Sequence, residues 1–463
     1  PQRHACGAAV SLIAIRFVPM FRFARPAILA VFAVCTVAGV NAAEPELPFT
    51  SKAVHLGVSS CGGSSCHGAL EPWKDSTVKQ NEFITWQEKD AHSKAYKTLQ
   101  SEKSKRIAQN LGLPNAYEAK ICLDCHADNI APELRAKGFQ ISDGVGCESC
   151  HGGAEGWLGK HVSGKSDHAA NVQAGLFPTD EPVARAKLCL SCHFGDKDRF
   201  ITHRIMGAGH PRMSFSLDTF TAVQPAHYVA DADYKKRKGM VSHTKVWAVG
   251  EIVAVEHLLD ALTDPKRNTD GIFPELVFYD CHACHHPMSN VRWEPRDSAG
   301  IGPGIPRLSD ANLIMMGVIL DHMDPKLAAD YKARVKALHQ ASLKGHDAVL
   351  AAAGRLKELT GPLTARIAAM EFKQADMRAL LGGVISHGLR GEYVDYAAAE
   401  QATMALAAII DAMKDADMLT QPQYQSLIAV LDKCYDAVEK DEAFEPRKFL
   451  GALQSLEAAV PRA

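Results

Sequence analysis

Five cysteine pairs, each followed directly by a histidine, constrain this chain of 463 residues more than any other feature. Four pairs have two residues between the cysteines: Cys122/Cys125/His126, Cys147/Cys150/His151, Cys189/Cys192/His193 and Cys281/Cys284/His285. The remaining pair, Cys61 and Cys66 before His67, has four intervening residues. The pairs contain ten of the thirteen cysteines, so they decide which chemistry the thiols can perform.

The C-x-x-C-H pattern is the attachment signature of haem c. Two thiols add across the vinyl groups of one haem, and the adjacent histidine ligates its iron. Zinc sites instead combine two C-x-x-C knuckles, or one knuckle with two histidines, whereas here every pair has its own histidine. We therefore predict five covalently attached haems c. At the longer Cys61/Cys66/His67 motif, a disulfide beside a solvent-exposed histidine is the alternative.

The second axial ligand of each iron decides what the haem can do. A second histidine closes the iron and leaves outer-sphere electron transfer, whereas an open iron binds small molecules. The haem-bearing stretch supplies enough further histidines for every iron, and we predict these distal ligands: His92, His161, His203, His210 and His227. The same stretch also holds His168, His243 and His257, which we do not assign as ligands.

An N-terminal segment predicts export from the cytoplasm. Arg22 and Arg25 precede an apolar run over residues 27–40, and a small-residue cleavage site ends at Ala43. This order is typical of a signal peptide, here residues 20–43 of a leader that covers residues 1–43. The apolar run is shorter than the about 20 residues that a membrane span needs. We expect a periplasmic mature chain without a transmembrane span; an uncleaved anchor is the alternative.

Composition divides the rest of the chain into two parts. Residues 44–306 contain all five motifs among turn-rich segments with little regular strand, and they end in a Pro/Gly-rich linker over residues 286–306. Residues 307–463 contain no haem motif and are rich in Ala, Leu, Lys and Glu. We therefore predict a mainly α protein, in which a pentahaem cytochrome c domain is followed by a helical domain.

The helical domain carries apolar residues at helical spacing, for example over residues 406–413 and 424–431. Pro362 and Pro422 each stand where a helix is expected to begin. We predict a bundle of five or six helices. Cys434 continues the second apolar face and is expected to be a buried thiol. The histidines of this part are expected to be ordinary helix-face residues: His322, His339, His346 and His387.

Several linked motifs resemble the cytochrome c-554 family: Asp143-Gly-Val-Gly-Cys147-Glu-Ser-Cys150-His151-Gly, the Trp86–His92 element, and Cys189–His193 followed by His203 and Ala208-Gly-His210-Pro211. That family belongs to the multihaem group that includes pentahaem nitrite reductase and hydroxylamine oxidoreductase. The resemblance covers roughly residues 55–295. It implies closely packed, mostly bis-histidine haem pairs and a periplasmic electron-carrying role linked to nitrogen compounds. The type member has four haems, however, and no C-x-x-C-K motif of a nitrite reductase occurs here.

Charge gives no indication of nucleic-acid binding, because 51 basic residues balance 53 acidic ones. We predict an electron-transfer protein that exchanges electrons with redox partner proteins. One alternative is a redox enzyme with an open haem at Cys61/Cys66/His67, where Arg204 or Arg212 would position a small nitrogen or sulfur compound. Another is a scaffold organised by the helical domain. Whether the chain is an enzyme is therefore left uncertain by the sequence.

Overall fold

The computed structural model describes residues 45–74, 76, 78–239, 241–268, 274–286 and 296–461. The predicted leader and signal peptide lie outside these residues, as does the part of the predicted linker from 287 to 295. Within the described ranges, no helix combines the length and the apolarity that crossing a bilayer requires.

The prediction of a mainly α protein is confirmed. The described residues contain no β-strand, only isolated bridges between His55 and Arg135 and between Tyr279 and Leu308. In chain order the α-helices are α1 (Glu82–Lys89), α2 (Ala95–Thr98), α3 (Glu102–Leu111), α4 (Lys120–His126), α5 (Cys147–His151), α6 (Leu158–Val162), α7 (His168–Gln173), α8 (Pro182–His193), α9 (His203–Gly207), α10 (Leu217–Val223), α11 (Ala232–Lys238), α12 (His243–Thr263), α13 (Pro265–Asn268), α14 (Ala311–Met323), α15 (Pro325–Ala341), α16 (His346–Thr360), α17 (Leu363–Ala368), α18 (Gln374–Leu389), α19 (Tyr396–Asp415), α20 (Gln421–Ala437) and α21 (Pro446–Ala459).

The C-terminal part forms eight α-helices, α14 to α21, instead of the five or six that were predicted. The prediction was wrong because some breaks are very short. Asp324 alone separates α14 from α15, where its side chain accepts a hydrogen bond from the backbone of Leu327 and Pro325 begins the new helix. A pattern of apolar residues cannot reveal a helix break that is only one residue long.

The apolar core of the bundle includes a helix from the haem-motif part of the sequence. α12 packs against α14, α16, α17 and α19. Its residues Trp247, Ile252 and Leu259 are fully buried in the same core cluster as those helices. Arg296, within the predicted linker, is also buried and makes ion pairs with Asp310 and Asp395. The domain boundary at residue 306 therefore stays a prediction from composition.

Residues 45–241 contain much less apolar core. Besides side chains that join the bundle core, they form two small buried clusters: Leu99, Ala108, Ala116, Leu123 and Ala127 in one, and Phe177, Ala184 and Leu188 in the other. Short helices joined by turns surround these clusters. The described residues of this part therefore bury less clustered apolar surface than the bundle does.

Further predictions for the bundle are confirmed. Cys434 is fully buried, and burial raises the pKa of its thiol to about 12. Pro362 is the residue before α17, and Pro422 lies in the first turn of α20. Each bundle histidine pairs with an aspartate: His322 with Asp376, His339 with Asp310, His346 with Asp347 and His387 with Asp321. Two of them, His339 and His387, are buried rather than on an exposed helix face.

Candidate functional site: five motif histidines and their partners

The five Cys/Cys/His motifs are numbered here in sequence order, motif 1 beginning at Cys61 and motif 5 at Cys281. Motifs 2, 3 and 4 are helical and form the last turns of α4, the whole of α5 and the last turn of α8. Helical geometry places residues three and four apart on one face, so both cysteines and the histidine point the same way. Motif 5 begins in a short 3-10 helix, Cys281–Ala283, where the backbone N–H of His285 donates to the carbonyl of Cys281 at 2.8 Å.

Motif 1 reaches a similar closure despite its two additional residues. The backbone N–H of His67 donates to the carbonyl of Cys61 at 3.1 Å, as His285 does to Cys281 in motif 5. The extra residues form a tight turn that crosses close to Gly68. A Cβ at Gly68 would lie 1.9 Å from the carbonyl oxygen of Gly62, so only glycine fits there.

The ten motif cysteines are free, and no disulfide forms among the described cysteines. Thiols of different motifs nevertheless lie close together. The Cys61 thiol of motif 1 interacts with Cys147 of motif 3, and the Cys125 thiol of motif 2 interacts with Cys192 of motif 4. In the described part of the chain, no three Cys, His, Asp or Glu side chains converge as a metal cluster of the zinc type.

The structure does not place Cys284 of motif 5 in the same surroundings as the other nine predicted attachment residues. Cys284 is exposed, whereas those nine cysteines are all partly buried. The physical reason is local, because the 3-10 helix Cys281–Ala283 ends just before Cys284, which follows it in a non-helical conformation. The second cysteine of motifs 2, 3 and 4 lies instead inside an α-helix. Attachment of haem at Cys284 therefore stays a prediction from the motif spacing.

Each motif histidine faces one of the five histidines that were predicted as distal ligands. The ring-centre distances are 6.0 Å for His67–His161, 6.1 Å for His92–His193, 6.4 Å for His126–His210, 6.3 Å for His151–His227 and 5.9 Å for His203–His285. Bonds from imidazole nitrogen to a metal are about 2 Å long, which puts two rings on opposite sides of one ion about 6 Å apart. The pairs therefore fit an iron between each two rings.

Hydrogen bonds through the Nδ1 atom orient several of these rings. The Nδ1 atoms of His67 and His92 lie 2.9 Å from carboxylate oxygens of Glu82 and Asp90. Those of His126 and His210 lie within 3.2 Å of the backbone carbonyls of Ala95 and Pro211. A histidine that donates through Nδ1 keeps the lone pair of Nε2 for a metal, as metal-binding histidines generally do.

Burial keeps most of the paired rings neutral. It lowers the pKa of His151 and that of His193 to about 4. It also lowers the pKa of four others: His126, His161, His210 and His227. In His67 and His92, the hydrogen bonds to Glu82 and Asp90 raise the pKa instead. Neutral imidazole is the metal-binding form, and a carboxylate partner strengthens its basicity.

Two buried residues that the sequence did not single out join the segment before motif 1 to other motifs, Glu148 to motif 3 and His55 to the residues after motif 2. Glu148, between the cysteines of motif 3, accepts hydrogen bonds from the backbone N–H groups of Leu56, Gly57 and Ala154 at 2.7–2.8 Å. His55 is fully buried, with Nδ1 2.7 Å from Asp128. No sequence signal marks Glu148, because the variable positions of these motifs accept many residue types.

The three histidines not assigned as ligands have other partners. His168 bonds to Asp180, His243 to Asp218, and His257 to the carbonyl of Gly195. The two arginines considered for anion binding are likewise engaged. Arg212 is ion-paired with Glu400 at 2.8 Å, and Arg204 donates to the carbonyl of Leu111.

Comparison with known proteins supports the interpretation of these motifs as haem sites. Residues 60–152, with motifs 1 to 3, match the family model described as cytochrome c554 and c-prime. Cytochrome c-554 of Nitrosomonas europaea is 29% identical over 146 residues, which are 28% of this chain and 54% of that protein. The chain thus spans about half the length of this curated relative, and no solved structure matches it. Through its motif-bearing region, the chain is similar to the cytochrome c-554 family of multihaem cytochromes, and this similarity implies covalently bound haem c.

Proposed function

We propose that this protein is a periplasmic electron carrier with five covalently bound haems c, each iron held between two histidines. The observation that carries the proposal is the set of five histidine pairs, one for each motif, with ring centres 5.9–6.4 Å apart. Haem supplies reversible one-electron chemistry at iron. The cysteines of each motif would hold the haem by thioether bonds.

Carboxylates of the chain hold two of the histidines that would bind the iron. Glu82 orients His67 and Asp90 orients His92 through Nδ1, which directs Nε2 of each ring at the site between the pair. Two imidazoles would leave no position for a substrate on the iron, so this arrangement favours electron transfer. Redox partner proteins would deliver and remove the electrons.

Two observations count against the site that the enzymatic alternative favoured. Motif 1 was the leading candidate for an open iron, but His67 faces His161 at 6.0 Å. Arg212, one candidate for positioning an anion, is ion-paired with Glu400 and lies 4.8 Å above the ring of Tyr396. Neither observation favours binding of a small oxyanion at an iron.

Intact mass and low-temperature EPR of the purified ferric protein test the proposal together. We expect a mass with five haems and a cleaved leader, and exclusively low-spin iron. Three ring pairs are nearly perpendicular, at 85–89°, and two are closer to parallel, at 15° and 29°. Because ring orientation affects the orbital energies of low-spin iron, two classes of low-spin signal are expected.

A matched pair of variants assigns the ligands. His161→Ala is expected to convert one of five irons to a high-spin form, whereas His168→Ala, which removes a histidine bonded to Asp180, leaves all five low-spin. A high-spin signal in the unmodified protein that shifts with nitrite or cyanide would contradict the electron-carrier proposal. Colourless protein from a haem-competent host would contradict haem attachment itself.

A further inference from the structure

Motif 4 borders two other motifs. Its Cys192 thiol interacts with Cys125 of motif 2 and lies 3.9 Å from the carbonyl oxygen of Asp124 in the same motif. On the other side, Cys150 of motif 3 packs against the cluster that contains Ala184 and Leu188 of helix α8, which ends in motif 4. Motif 3 in turn borders motif 1, because Glu148 accepts a hydrogen bond from the backbone N–H of Gly57, four residues before Cys61, at 2.7 Å. The first four motifs therefore follow the spatial order 1–3–4–2.

A cleft of about 1200 Å³ that opens to solvent connects motif 4 with motif 5. Its lining includes His193 of motif 4 together with Cys281 and His282 of motif 5. Phe215, also in the lining, stacks on the ring of His193 with centres 4.7 Å apart. Motifs 4 and 5 thus border the same cleft.

The C-terminal bundle builds one wall of the cleft. Helix α19 contributes Tyr396, Glu400 and Gln401 to the lining. Glu400 binds Arg212 at 2.8 Å and the hydroxyl of Ser214 at 2.6 Å. The side chain of Gln401 donates to the backbone carbonyl of Phe215 at 2.9 Å. Helix α19 therefore holds the segment 212–215, which lies between motifs 4 and 5.

We propose that motif 4 is the junction of a branched electron path with three ends, at motifs 1, 2 and 5, and that helix α19 shapes the branch to motif 5. The inference rests on the proposed function, since it requires haem at each motif. The C-terminal bundle then contributes to electron transfer, because its side chains form part of the surroundings of the motif 5 haem. Glu400 and Arg212 are positioning residues that set the charge beside that haem.

Iron positions in crystals of the haem-loaded protein, located by anomalous scattering, test the branching directly. The iron at motif 4 is expected to have the irons of motifs 2, 3 and 5 as its nearest neighbours. A motif 5 iron whose nearest neighbour belongs to motif 1, 2 or 3 would overturn the branch while leaving the proposed function intact. Crystals with no bound iron would instead overturn the proposed function.

Redox titration of Glu400→Gln tests the role of the bundle. A carboxylate near haem favours the ferric state, so its removal is expected to shift one of the five midpoint potentials upward. The control is Glu457→Gln, which removes the same charge from the exposed side of α21 and should shift none. Five unchanged potentials in Glu400→Gln, with five haems still bound by mass, would contradict the proposed wall.

Discussion

The motif-bearing residues 45–241 and the bundle that contains α12 and α14–α21 obtain their stability in different ways. The bundle has one continuous apolar core, in which side chains such as Trp247, Leu406 and Leu453 are almost completely inaccessible. The described part of residues 45–241 has two small clusters and four complete histidine pairs with ring centres 6.0–6.4 Å apart, and the fifth pair joins His203 to His285 beyond this range. The contrast indicates that apolar side chains stabilise the bundle, and under the proposed function we expect bound haem to supply the missing core of residues 45–241.

The largest difference is expected when haem is withheld. In protein made without haem attachment, residues 45–241 should lose most backbone amide protection, because their described apolar clusters are small. The bundle should remain helical and protected. Hydrogen–deuterium exchange with peptide resolution measures both regions in one sample. Equal protection of the two regions in the haem-free chain would show that haem is not the missing core.

Glu148→Ala is expected to destabilise the motif-bearing part by about 3–6 kcal/mol, because two buried backbone N–H groups and one partly buried group lose their acceptor. The exposed neighbour Glu155→Ala is the control and should change stability little. Leu406→Ala, in the bundle, should cost about 2–5 kcal/mol without altering the haem spectrum. Thermal unfolding followed by haem absorbance and by far-UV circular dichroism separates these effects. Identical effects of Glu148→Ala and Glu155→Ala would rule out the bridging role.

The smallest effect concerns an acid within the apolar bundle core. Burial raises the pKa of Glu251 from 4.5 to about 8, and its carboxylate accepts from Asn312 at 2.8 Å. The unfolded chain loses this proton near pH 4.5 and the folded chain near pH 8, so stability falls as pH rises between these values. Glu251→Gln should remove this slope and stabilise the bundle on the order of 3 kcal/mol at pH 8. Melting temperatures from pH 5 to 9 test it; parallel curves for both proteins would contradict it.

The sequence predicted the site residues better than their arrangement. Local spacing identified the motifs, since cysteines and histidine are adjacent in the chain. The partner of each motif histidine could not be assigned, because the two rings belong to segments that only the tertiary fold brings together. The same reason hid Glu148, whose three partners lie before motif 1 and after motif 3. In the bundle, periodicity located the helices but missed a break made by Asp324 alone.

The histidine pairs have a consequence for assembly of the molecule. Four pairs interlace along the sequence: His67, His92, His126 and His151 meet, in that order, His161, His193, His210 and His227. When the chain emerges N-terminus first, the cysteines of motif 1 appear long before His161, the histidine that pairs with His67. If haem is joined as the chain emerges, attachment at motif 1 therefore precedes the pairing of His67 with His161.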